Sequence, residues 1–355
     1  MLDLAAEFVG AGHEVDLVLM NSYPSPLLEL IPAGVGLVDL RCPRFWMSTP
    51  AMVRYIRRRR PDGVVAAMPL ANAIAGYARV LAGVPLRLVV SEHNYRSVAF
   101  GDVDYPRDLV LAPFIRLGYR FADTIIAVSQ GVGQRLQQTH GLRAEQVRVV
   151  YNPAYSPRIE ALALEPSPHV WLDDRTTPVV IGSGRLEAQK DFGTLLEAFA
   201  LLRVKRPARL IILGEGSQRA ALQERARQLQ VADSIAMPGF VVNPWAYMSR
   251  AAVFALSSIH EGLGNVLIEA LALGTPVVST DCPSGPAEIL AHGRFGALVE
   301  RRDASALAEA LAQAIDRPVH RATLQRRARE FSIDVASAGY LDAFGFNDSL
   351  LGMRT

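Results

Sequence analysis

The chain has 355 residues, 50% hydrophobic and 20% charged, with a formal net charge of +2. At roughly 100–200 residues per domain this length favours two packed domains, and the mix excludes global disorder. The near-neutral balance implies no strongly acidic or basic partner, and no nucleic acid.

Lys190 and Lys205 are the only lysines among 37 basic residues, so a lysine near glycines draws attention. Cys42 and Cys282 lie far apart and form no CxxC pair, which makes a reducing cytoplasm the expectation. Met1 leads into an amphipathic pattern with Asp3 and Glu7, without the basic start of a leader. The longest apolar stretch, Val64–Ala78, contains Pro69 and Asn72. It is shorter than the ~18–20 residues of a spanning helix. The expectation is a soluble protein that at most rests on a membrane surface.

A helical pattern occupies Leu2–Val9 and closes at Gly10-Ala-Gly12. Apolar runs follow at Glu14–Met20, Gly36–Leu40, Gly63–Met68, Leu86–Val90, Thr124–Val128 and Val147–Tyr151. Consecutive Val, Ile and Leu predict parallel strands covered on both faces. Helical patterns such as Asn72–Leu81 and Gln130–Thr139 lie between them. The basic run Arg54-Tyr-Ile-Arg-Arg-Arg-Arg60 reads as a solvated helix end or as a surface for anionic lipid. Residues 153–177 hold Pro153, Pro157, Pro166 and Pro168 without clear periodicity, and read as a linker.

The second half repeats the alternation. Its predicted strands are Pro178–Gly182, Arg209–Leu213, Ser234–Met237, Val253–Leu256, Pro276–Ser279 and Gly296–Val299. Its predicted helices are Phe192–Leu202, Gln218–Leu229, Asn265–Leu273, Ala287–Ala291 and Ala304–Ile315, with closing helices from Leu324 to Phe346. Two βαβ series predict two doubly wound, Rossmann-like α/β domains. The expected division is 1–152, a linker at 153–177, a second domain at 178–320 and closing helices over 321–355. The first domain opens on a helical pattern, so the expectation is that its first strand and the Gly-rich turn after it are missing from this chain.

Gly262 and Gly264 follow a predicted strand and precede the helix that starts near Asn265. Small residues there let an anion approach free backbone N–H groups, where the helix dipole favours negative charge. An ordinary strand-to-helix turn has the same glycine spacing. Glu261 and Glu269 are eight residues apart, ~12 Å of rise on one helix. That exceeds the ~5–9.5 Å of a hydrolytic carboxylate pair. The two read better as contacts to two parts of one long ligand, since carboxylates accept hydrogen bonds from sugar hydroxyls. A second anion site is expected in Gly182-Ser-Gly-Arg-Leu-Glu-Ala-Gln-Lys-Asp191, after the first strand of the second half. Arg185 offers a fork of donors and Lys190 a mobile point charge.

With these residues in view, the second half resembles the donor domain of the retaining GT-B glycosyltransferases of family 4. The pieces that carry the resemblance are Gly184-Arg185 with Lys190, Leu213-Gly-Glu-Gly216, Pro238-Gly239-Phe240, the Glu-x7-Glu pair Glu261/Glu269, Gly274-Thr-Pro-Val-Val278 and Gly285-Pro-Ala-Glu-Ile289. The first half matches more loosely, through Pro61-Asp62, Ser91-Glu-His-Asn94, Ser129-Gln-Gly-Val132 and Tyr151-Asn-Pro153.

The resemblance implies a GT-B fold, with two Rossmann-like domains facing a cleft. It implies transfer of a sugar from a nucleoside diphosphate, UDP or GDP, to a hydroxyl of a glycan or lipid-linked acceptor. Retention of configuration, no resident metal and no cofactor are implied with it. Gly184, Arg185 and Lys190 would hold the diphosphate, and Gly262, Leu263, Gly264 and Asn265 would offer it backbone amides. Glu261 would contact the transferred sugar, Glu269 the ribose, and the segment around Gly239 would border the base. His93 would lie near the reacting sugar on the acceptor side; a lone histidine is also often structural. The closing helix would cross back to the first domain. A bacterial cell-surface polysaccharide or glycolipid pathway at the inner face of the membrane is the implied setting. Two other readings stand beside it: a sugar-nucleotide epimerase of similar shape, and an inactive, truncated nucleotide-sugar binder.

Overall fold

The computed structural model describes residues 1–22, 26–95, 106–140, 142–167, 169–174 and 176–345. Pro168 of the expected linker and Phe346 of the closing helices lie outside the described residues. The chain folds as two compact units, Met1–Pro153 together with the segment from Ile333 onward, and Ala154–Ser332.

The first unit runs α1 (Leu2–Gly10), β1 (Val15–Leu19), β2 (Val35–Asp39), α2 (Ser48–Arg59), β3 (Gly63–Ala67), α3 (Pro69–Ala82), β4 (Arg87–Glu92), α4 (Pro106–Tyr119), β5 (Thr124–Ala127), α5 (Gln130–His140) and β6 (Val147–Val149). All pairings are parallel, as the unbroken apolar runs predict. Among the described residues the strands form two sheets, β1-β2 and β3-β4-β5-β6. No strand joins β1 to β3 among the described residues.

The second unit follows with α6 (Pro157–Leu162), β7 (Val179–Ser183), α7 (Phe192–Lys205), β8 (Arg209–Leu213), α8 (Arg219–Gln228), β9 (Ile235–Gly239), α9 (Trp245–Met248), β10 (Val253–Leu256), α10 (Asn265–Ala272), β11 (Val277–Thr280), α11 (Pro286–Ile289), β12 (Ala297–Val299), α12 (Ala304–Asp316) and α13 (Arg321–Arg329). Its sheet has the order β12-β11-β10-β7-β8-β9, doubly wound with the first strand central. Buried Val180, Leu195, Phe199, Leu210, Ile212 and Leu311 lie in one core cluster that draws on the sheet and on α7 and α12.

The proline-rich stretch after residue 153 is held within this unit. Pro157 starts α6 at a position where its missing N–H costs nothing. Asn243 and Arg250 donate to the carbonyls of Leu162 and Ala163 at 2.8 and 3.1 Å. The last helix, α14 (Ile333–Phe344), belongs to the first unit. Its Tyr340, Ala343 and Phe344 pack with Leu4, Val89 and Ile126.

Candidate active site

The carboxyl ends of β7, β8 and β9 are tied edge to edge. Gly184 donates its N–H to Leu213 at 3.0 Å, and Gly214 donates to Gly239 at 2.8 Å. A Cβ on Gly214 would sit 1.9 Å from the Gly184 carbonyl oxygen, so no other residue fits there. Arg185 is exposed at this edge. Glu187 accepts the N–H and hydroxyl of Ser217 at 2.9 and 2.6 Å, which hold its carboxyl below the usual range. Phe240, just after Gly239, is 77% exposed.

The two anion sites expected from sequence meet. β7 and β10 are neighbours in the sheet, with Val180 against Val253, so the loops after them adjoin. Ile259 donates its N–H to Gln189 at 2.8 Å, Gln189 donates to the His260 carbonyl at 2.9 Å, and the Ser257 hydroxyl donates to the Lys190 carbonyl at 2.7 Å. These bonds bring the Lys190 ammonium to Glu261 Oε1 at 2.6 Å, with side chains only 14% and 8% exposed. Ser258 donates to the same oxygen at 2.6 Å.

Beside this pair α10 begins at Gly264, whose φ of +97° suits glycine and whose helix end has no side-chain cap. Leu263 is buried, and the Gly262 carbonyl accepts the Ser284 hydroxyl at 2.7 Å, so the turn is fixed in shape. Asn265 is exposed at the first position of the helix. Glu269, about one turn in, accepts the indole N–H of Trp245 at 2.9 Å. Burial pushes the Glu269 carboxyl up, and the Trp245 bond opposes that shift. Trp245 was not legible as a site residue; its partner lies 24 positions later, across β10. Cys282 is buried, and desolvation together with the charge on Glu261 pushes its thiol up to about 12. It therefore stays a thiol at neutral pH.

His93 lies in the first unit, just past β4. Its Nε2 is 3.0 Å from Ser91 Oγ, and the Asn152 side chain also bonds the ring. Burial is the main cause that lowers its pKa to about 4, so the imidazole is neutral at pH 7.

The basic run divides. Arg57 donates to the carbonyls of Ala82 and Leu81 at the end of α3, and Arg59 pairs with Glu14 and Asp16. Arg54, Arg58 and Arg60 are exposed. Just before α2, Phe45, Trp46 and Met47 are 39%, 57% and 43% exposed. Among the described residues no helix is long and apolar enough to cross a membrane.

A family model described as Glycosyltransferase Family 4 matches residues 1–154, and one described as Glycosyl transferases group 1 matches residues 167–331. The chain belongs to the family 4 glycosyltransferases. This family 4 member is 34% identical over 229 residues to the N-acetylgalactosamine-N,N'-diacetylbacillosaminyl-diphospho-undecaprenol 4-alpha-N-acetylgalactosaminyltransferase of Campylobacter jejuni, covering 64% of this chain and 60% of that protein. It is 33% identical over 233 residues to the lipopolysaccharide core biosynthesis glycosyltransferase LpsE of Rhizobium meliloti, covering 64% of this chain and 65% of that protein. The chain therefore spans less than two thirds of the length of either relative. Its fold matches Anabaena HepE in complex with UDP and glucose with a TM-score of 0.75, at 21% identity, over 97% of this chain and 94% of that one. The fold is GT-B.

Proposed function

We propose that this family 4 member is a retaining glycosyltransferase. It moves a sugar from a UDP- or GDP-sugar to a hydroxyl of a glycan or lipid-linked acceptor, in cell-surface polysaccharide or glycolipid synthesis. The Lys190–Glu261 pair beside the uncapped start of α10 carries the reading, because it sets a cation, a sugar acceptor and a helix dipole side by side. The names of the relatives support it, since they include a transferase acting on a diphospho-undecaprenol glycan and a lipopolysaccharide core enzyme.

In this reading Lys190 exchanges Glu261 for the donor diphosphate, and Glu261 turns to the sugar hydroxyls. Arg185 closes on the phosphate oxygens and the first amides of α10 complete the shell. As the bond from C1 to the diphosphate breaks, these groups stabilise the leaving charge without a resident metal or cofactor. The acceptor oxygen bonds C1 on the same face, and its proton passes to the leaving phosphate. Glu269 accepts from the ribose, Gly239 and Phe240 border the base, and His93 acts on the acceptor side.

The reading extends to contact with an anionic membrane at its cytoplasmic face. Exposed Arg54, Arg58 and Arg60 with Phe45, Trp46 and Met47 combine the charge and apolar wedge that such a surface binds.

A panel of UDP- and GDP-sugars, with glycan and lipid-linked acceptors and with EDTA throughout, tests the transfer. Acceptor-dependent release of nucleoside diphosphate and a product of unchanged anomeric configuration are expected. An inverted product removes the retaining assignment. A sugar epimerised without acceptor, or donor bound without turnover, overturns transfer itself.

A further inference from the structure

We propose that Tyr340 and Ser91 are positioning residues that hold the His93 ring in its Nδ1–H tautomer. The proposal rests on the sugar-transfer reading only for its effect on turnover.

The hydrogen-bond count forces the direction. Tyr340, on α14, is 3% exposed, and its hydroxyl lies 2.9 Å from Ser91 Oγ, its one side-chain partner among the described residues. A buried O–H donates wherever a partner exists. Tyr340 therefore donates to Ser91 Oγ. Ser91 is fully buried and must place its own proton elsewhere. Its remaining side-chain partner among the described residues is His93 Nε2 at 3.0 Å. That nitrogen then accepts, and the ring proton sits on Nδ1. Asn152 is left to accept from Nδ1–H.

The backbone around the ring is held as firmly. Strand alternation sets Ser91 and His93 on one face and Glu92 on the other. The Glu92 carboxylate is buried and accepts the N–H groups of His93 and Asn94, each at 3.1 Å, and the Tyr119 hydroxyl at 2.7 Å. With Nε2 engaged by Ser91 and Asn152 bonded to the ring inside the same unit, the imidazole is held in one orientation. Tyr340 reaches it from 249 positions away from Ser91. The closing helix thus sets the orientation of a ring at the end of β4.

The test uses the full chain with 15N-labelled histidine, with His93 assigned by comparison with His93→Gln. In the wild type Nε2 is expected to resonate as an unprotonated nitrogen and Nδ1 as a protonated one. In Tyr340→Phe, Ser91 regains the choice to accept, and both tautomers are expected. Turnover should fall about three- to tenfold with donor KM unchanged, the scale of one hydrogen bond. Ser91→Thr keeps the hydroxyl and should keep the single tautomer, while Ser91→Ala should lose it. A protonated Nε2 in the wild type, or an unchanged tautomer in Tyr340→Phe and Ser91→Ala, overturns the proposal. A wild type without turnover that still shows the Nδ1–H ring supports the positioning and defeats only the transfer reading.

Discussion

The Trp245 indole N–H reaches Glu269 Oε2 at 2.9 Å, so a carboxylate read as a ribose contact is already aimed by a neighbour. Burial raises the Glu269 pKa and Trp245 lowers it. A raised carboxyl pKa adds stability below the ordinary carboxylate range that is lost as pH rises through the folded value. Donor binding runs the other way, because the ribose needs an ionised acceptor. Nucleotide affinity should therefore begin to weaken on acidification at a higher pH than an ordinary carboxylate sets. Trp245→Phe should move that onset upward, and Glu269→Gln should flatten it. Titration calorimetry with UDP and GDP across pH checks this, and an onset unmoved in Trp245→Phe would defeat it.

Lys190 and Glu261 form a buried pair, and removing one partner strands the other's charge. Lys190→Ala should cost about 3 kcal/mol of stability. Lys190→Ala/Glu261→Ala should cost less than the sum of the single changes. Donor affinity should drop at least about tenfold in Lys190→Ala, the loss of a charge-assisted bond to phosphate. Urea unfolding with nucleotide titration of the four-protein cycle reads both. Strict additivity in stability would remove the pair.

His93 has a folded pKa near 4 against an ordinary 6.5, because burial disfavours its charged form. The unfolded chain binds the extra proton first, so stability falls as pH drops from 6.5 toward 4 and is regained as pH rises. The shift corresponds to ~3 kcal/mol at full extent. His93→Gln should flatten this limb in acid unfolding curves. A limb of unchanged size would mean that folding leaves the pKa of the ring unshifted.

In the proposed membrane contact, exposed Arg54, Arg58 and Arg60 supply the charge. At about 1 kcal/mol per residue, replacing all three by Gln should weaken binding to anionic vesicles ~100-fold. Arg59→Gln should act instead on stability, through Glu14 and Asp16. Flotation with and without phosphatidylglycerol, at low and high salt, separates these outcomes. Equal binding to neutral vesicles would eliminate the electrostatic contact.

Much of the fold was readable in the chain because strands buried on both faces announce themselves as unbroken apolar runs. The strands observed from β1 to β12 fall on the predicted runs. The pairings inside the site were not readable. Lys190 and Glu261 are 71 positions apart and meet because β7 and β10 are neighbours. Trp245 sits in a short helix with no motif of its own. The run Arg54–Arg60 looked uniform, yet Arg57 and Arg59 are claimed by backbone carbonyls and acids far along the chain. Ser91 and His93, two apart on a strand end, carried a signal that periodicity alone could have used.

The return of α14 to the first unit fixes an order of manufacture. Leu4, Val89 and Ile126 emerge early, but their cluster is complete only with Tyr340, Ala343 and Phe344. Everything the second unit requires, Ala154–Ser332, has emerged before that. At roughly 5–20 residues per second the later-made unit can close while the earlier-made one still waits for its last helix. A nascent chain released before Ile333 would carry a finished second unit tethered to an open core.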